Sequence, residues 1–204
     1  MENSGTPKWG DTVGFFNVSN SNGASVDTVR AHLQYSASAV DTFPRSFSAQ
    51  TATITAGTCF FSFFTPLTSM TVSQITMASG ATASSGLTYA AMGLYTFDGT
   101  TATLVARTAS DTTLFNSTNT AYTRSFDTTG GFPASYQLLS GQRYALGVLV
   151  TGTTAPNVYA GAFTPNTVNA LEPRLTGAAT GQTALPTTRS TFTQTTTNAW
   201  GRLS

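Results

Sequence analysis

The sequence predicts an all-β protein, an antiparallel β-sandwich of jelly-roll type carrying an extended N-terminal arm. Three observations carry that expectation. Short apolar runs recur between clusters of Gly, Ser, Thr and Pro, with no strong helical segment among them. Asp98-Gly99 separates two runs of alternating apolar and polar residues, 92–97 and 102–107. Such a dipeptide is a strong hairpin signal, because a two-residue type I′ turn needs positive φ at both central positions. Finally, residues 144–150 are apolar on both faces, as a strand buried between two layers must be.

Taken in order, residues 1–50 stand apart. Trp9, Phe15 and Phe16 are isolated aromatic anchors among Ser, Asn and Gly. Ser25 as a cap, with Val26, Val29 and Leu33 near helical spacing, permits a short helix over 25–39, and alternation permits a strand there instead. Thr42-Phe43-Pro44-Arg45 reads as a turn leaving this region. The segment is expected to be an attachment arm gripping another surface through Trp9, Phe15 and Phe16, with residues 51–204 forming the β-domain. A strand and loop belonging to that same domain is the alternative.

Strands are expected near residues 52–54, Cys59–Phe64, 70–77, 89–97, Ala102–Arg107, 121–126, 135–139, 142–150 and 158–163, with weaker ones near 174–176 and 190–193. Leu138-Leu139-Ser140-Gly141-Gln142 makes a tight turn between two of them. Beyond it, Ala145, Gly147 and Leu149 give the strand a narrow face, and Tyr144, Leu146 and Val148 a bulky one. Two sheets packed about 10 Å apart satisfy both faces most economically.

Composition narrows the class. Charged residues are 8% of the chain, against roughly 25% in ordinary soluble domains. Threonine supplies about a fifth of the sequence, a β-branched residue suited to strands. A surface solubilised by hydroxyls suits proteins that assemble into large particles or face the outside, a secreted bacterial β-protein being the plainer alternative. The net charge is +1, with the arginines scattered singly, so no electrostatic footprint for nucleic acid exists. Cys59 is the only cysteine and lies in an apolar run, which excludes an intrachain disulfide and marks it as a small core residue. Neither a secretory leader nor an apolar stretch of ~18 residues is found, so no membrane insertion is expected.

Residues 92–150 read MGLYTFDGTTATLVARTASDTTLFNSTNTAYTRSFDTTGGFPASYQLLSGQRYALGVLV. This run resembles a module of minor tail proteins from phages infecting actinobacteria. There, a GLYT-DG…LVARTASDTTLF hairpin precedes a YTR-D-TGG-PA-Y-L--GQRYA-GVL pair of strands. The likeness is close over these residues and looser from there to the C-terminus. It implies a virion structural protein, at the tail tip or as a minor tail component that touches the host envelope. Its partners would be other virion proteins and further copies of itself, a homotrimer being the expected assembly. The resembling tail proteins are often longer, so a chain of this size also suits a capsid decoration protein. A glycan-binding module outside any virion is a third reading, and a depolymerase comes last.

No catalytic machinery is legible. His32 is the only histidine, no Gly-x-Ser-x-Gly elbow occurs, and zinc ligands and a phosphate loop are lacking. Asp98, Asp111, Asp127 and Glu172 are the acids after residue 41, and the three aspartates suit turns in which the carboxylate binds backbone amides. A calcium ion shared by Asp98, Asp111 and Asp127 would require their loops to converge. No catalytic residue, metal or cofactor is expected. A host glycan remains a candidate ligand, on an aromatic platform drawn from Trp200, Tyr159 and Phe132 beside Gly130-Gly131.

Overall fold

The computed structural model describes residues 38–48, 50–162, 168 and 170–204. Trp9, Phe15, Phe16, His32 and the helix or strand expected before residue 38 lie outside them. Among the described residues the strands are, in chain order, β1 (Val40–Asp41), β2 (Gln50–Thr53), β3 (Cys59–Phe64), β4 (Met70–Val72), β5 (Gln74–Ala78), β6 (Ser85–Phe97), β7 (Ala102–Arg107), β8 (Ala121–Ser125), β9 (Tyr136–Leu138), β10 (Tyr144–Thr154), β11 (Asn157–Ala162), β12 (Thr176–Ala179), β13 (Thr188–Arg189), β14 (Thr197–Ala199) and β15 (Gly201–Leu203). A single 3₁₀ turn spans Arg45–Phe47.

All strand pairs are antiparallel. A six-stranded sheet in the order β12-β3-β10-β6-β7-β13 forms one layer. Sheets of four strands (β1-β15-β5-β8), three (β14-β11-β2) and two (β4-β9) are built against it. The predicted all-β sandwich is therefore the fold.

The large sheet is buried on both sides, and the alternation along its strands explains why. Tyr144, Leu146, Val148 and Val150 of β10 join Phe60 and Phe64 of β3 in the core shared with the smaller sheets, which contribute Val40, Ile75, Met77, Val158 and Leu203. Ala145 and Leu149 of β10 face the other way, with Phe61, Phe63, Tyr95 and Phe97. That second face is aromatic: Phe61 meets Tyr95 edge-on at 5.1 Å, and Phe63 lies 4.7 Å from Phe97. The C-terminal segment closes it, since Phe192 stands edge-on to Phe61 at 5.3 Å and to Phe63 at 5.5 Å. Burying such a ring is worth roughly 1.5–3 kcal/mol, and edge-to-face pairing adds about 0.5–1.5 kcal/mol.

Several expectations are refined. The stretch 70–77 is two strands in two sheets, because the buried positions change parity from Met70 and Val72 to Ile75 and Met77. The Asp98-Gly99 hairpin forms, with Phe97 opposite Ala102, but its turn is not a two-residue type I′ turn. Four residues connect the strands and only Gly99 among them has positive φ, at +100°. Asp98 instead accepts the amides of Thr100 at 2.8 Å and Thr101 at 2.6 Å, which needs the longer loop. The turn at residues 138–142 joins two sheets, since β9 pairs with β4 while β10 lies between β3 and β6. Near the C-terminus the strands fall at β12 and β13, and β14 and β15 arise where none was expected.

Candidate binding site

Trp200 occupies the single position between β14 and β15. Its neighbour Gly201 passes so close to β10 that a Cβ there would fall 2.0 Å from Leu146 Cδ2. Glycine at 201 lets β15 enter the four-stranded sheet against the core, and the chain then carries the Trp200 side chain to the outer surface. The Trp200 amide donates to the Tyr159 carbonyl at 2.9 Å, which sets the indole beside Tyr159 of β11. Tyr159 donates its hydroxyl to Asn119 Oδ1 at 3.3 Å.

A third group joins them. The Arg45 guanidinium lies 5.7 Å from the centre of the Trp200 ring. It is held by Asp41, whose Oδ2 accepts Arg45 Nε at 2.7 Å and whose side chain is 1% exposed. Arg45, Ser48, Ala78, Tyr159 and Trp200 line a pocket of about 180 Å³, smaller than the ~300–1,000 Å³ of drug-sized ligand sites. The indole Nε1 is buried and meets no acceptor among the described residues. With its one donor turned away from solvent, Trp200 offers the pocket ring surface only. A ligand here would be met by stacking and by the guanidinium, both suited to a flat apolar or sugar-like face.

Two of the three predicted platform residues thus meet. Phe132 stands elsewhere: it packs against the aromatic face of the six-stranded sheet, under the Arg107 guanidinium at 4.8 Å. Arg107 is fixed in turn by the Thr129 carbonyl at 3.2 Å and Asp127 Oδ2 at 3.5 Å. Arg45 was missed, because only the fold brings the turn after β1 to the β14–β15 junction; the Thr42-Phe43-Pro44-Arg45 signal placed the residue in a turn and no more.

The acids fill turn and ion-pair roles. Asp111 Oδ1 accepts the Thr113 amide at 2.8 Å and hydroxyl at 2.6 Å, while its Oδ2 accepts Arg124 Nε at 2.8 Å and Nη2 at 2.6 Å. Burial pushes this carboxyl up, but the bonds from Thr113 and Arg124 outweigh it and hold the pKa below the usual carboxylate value. Backbone amides of Thr101 and Thr100 lower Asp98, and the Thr129 amide and hydroxyl lower Asp127. Each aspartate serves its own loop, and no group of three acidic, His or Cys side chains suited to a metal ion occurs among the described residues. Cys59 is fully buried, and desolvation drives its thiol pKa far upward.

No protein family matches this chain, and no curated protein sequence matches it either.

Proposed function

We propose that this chain is a bacteriophage virion structural protein, a minor tail or tail-tip component that contacts the host surface. In this reading the part of the expected 1–50 arm that precedes residue 38, with Trp9, Phe15 and Phe16, carries attachment to other virion proteins, since β1 (Val40–Asp41) pairs with β15 and belongs to the sandwich. The sandwich is displayed outward, as a homotrimer, and the protein acts without catalysis or cofactor.

The observation that carries the reading is the run 92–150, which resembles the tail-protein module. These residues include the second half of β6 (Met92–Phe97), β7 and most of β10, neighbours in the six-stranded sheet. The likeness therefore concerns the structural spine of the domain and not a peripheral loop. The sparse charge and hydroxyl-rich composition support an exterior, assembled protein in the same direction.

Host contact is tested with intact actinobacterial cells. Protein displayed in many copies should bind them, since avidity multiplies a weak single-site affinity. Binding should depend little on salt, because few charges are available to be screened. Trp200→Ala and Tyr159→Ala should each weaken it. Multivalent protein that binds no cells, with capsids made less stable by its removal, would move the assignment to capsid decoration.

A further inference from the structure

A second site shares no lining residue with the Trp200 pocket. The β6–β7 loop, the turn before β10 and the segment before β12 converge at one end of the large sheet. Phe97 donates its amide to the Arg143 carbonyl at 3.1 Å, and Arg143 Nη2 donates to the Arg174 carbonyl. Between them lies an open groove of about 750 Å³, within the usual size of ligand sites, ~300–1,000 Å³. Its polar lining is planar throughout: Asp98, Gln142, Arg143 and Glu172. Phe97, Pro173, Gly99 and Gly141 complete the lining, and a Cβ at either glycine would meet nothing within 4 Å.

These groups are set in place yet incompletely used. Asp98 spends Oδ1 on two loop amides, and Oδ2 has no hydrogen-bond partner among the described residues. The Arg143 guanidinium rests 5.9 Å from the Phe63 ring centre, has no carboxylate within ion-pair reach among the described residues, and keeps Nε buried without an acceptor. Glu172 is paired with Arg174 at 3.5 Å.

We infer that this groove binds a neutral oligosaccharide. Sugar hydroxyls both donate and accept. The groove offers carboxylate acceptors, the Arg143 guanidinium as donor and Gln142 Oε1 as a further acceptor, the Gln142 amide nitrogen donating to the carbonyls of Phe97 at 3.4 Å and Arg143 at 3.5 Å. Its charges offset each other in number: Asp98 and Glu172 stand against Arg143, which lines the groove, and Arg174, which pairs with Glu172. An anionic ligand would face the open oxygen of Asp98, and a cationic one would face Arg143. Phe97 is 2% exposed and gives no stacking platform, so selection here is by hydrogen bonds. The inference deepens the host-contact reading by naming a ligand class, and it rests on that reading only for the choice of surface saccharides.

The test is calorimetric titration of the full chain with neutral gluco-, manno-, galacto- and arabino-oligosaccharides, beside uronate and phosphorylated counterparts. At least one neutral chain should bind saturably. Gln142→Ala and Asp98→Asn should each weaken binding about tenfold, the scale of one lost hydrogen bond, with a cooperative melting transition retained. Trp200→Ala should leave it intact. Absence of neutral-sugar binding, equal binding by the groove variants, or preference for the charged chains would overturn the inference. Binding by the isolated protein is independent of its place in a particle, so failure here leaves the virion reading standing. Absence from particles would in turn leave the groove standing.

Discussion

Gly147 shows how tightly single residues are specified. It lies at the middle of β10 on the narrow face, where a Cβ would sit 2.6 Å from Cε2 of Tyr95. Tyr95 is itself fully buried and packed edge-on against Phe61, so it has no room to yield. Gly147→Ala is therefore predicted to cost about 1–3 kcal/mol, the usual penalty of overpacking a dense core. Urea unfolding with an unchanged slope and a lowered midpoint would show it. An equal midpoint would mean that the aromatic face can shift. The same reasoning applies to Gly177, where Phe192 occupies the space a side chain would need.

At the scale of elements, the β6–β7 hairpin depends on its loop. Replacing Asp98 by Ala and Gly99 by Val removes two amide bonds and places a β-branched residue at φ +100°. The pair should lower the melting temperature by several degrees, on the order of 1–3 kcal/mol; an unchanged transition would contradict the loop assignment. The segment between β7 and β8 depends on charge instead. Asp111 holds Arg124 of β8 and receives its position from the Ala90 carbonyl, which accepts the Asp111 amide at 2.8 Å. Its carboxyl titrates lower folded than unfolded, where about 3.9 is usual. The stabilisation is thus complete above pH ~4 and is lost as pH falls through the depressed folded value. Asp111→Asn should flatten that acid limb of the stability curve and leave the difference from wild type largest near neutrality.

The sequence was most readable where apolar bulk runs unbroken or alternates regularly. Cys59–Phe64 and Ala102–Arg107 are strands with the expected bounds. It was least readable where small residues make strands. Gly177, Ala178 and Ala179 are buried opposite Phe61, Phe60 and Cys59, yet carry little apolar signal of their own, and at Gly177 the lack of a side chain is what admits Phe192. Gly201 conceals β15 in the same way. At the pocket, Trp200 and Tyr159 were legible as residue types, while their meeting and the guanidinium above them follow from pairings between distant segments.

The described residues form a two-layer body into which their N-terminal part is built: Val40 is fully buried and pairs with Leu203. Removal of residues 1–37 is accordingly predicted to leave a cooperative melting transition in place while abolishing incorporation into particles. Unfolding of the truncated chain, or its normal incorporation, would contradict an attachment role for Trp9, Phe15 and Phe16. The display reading depends on where the sandwich sits in a particle. Immunogold labelling of intact particles with antibody against this chain tests that location directly. The account predicts gold confined to the distal tail; gold spread over the head shell, or particles that carry none, would contradict it.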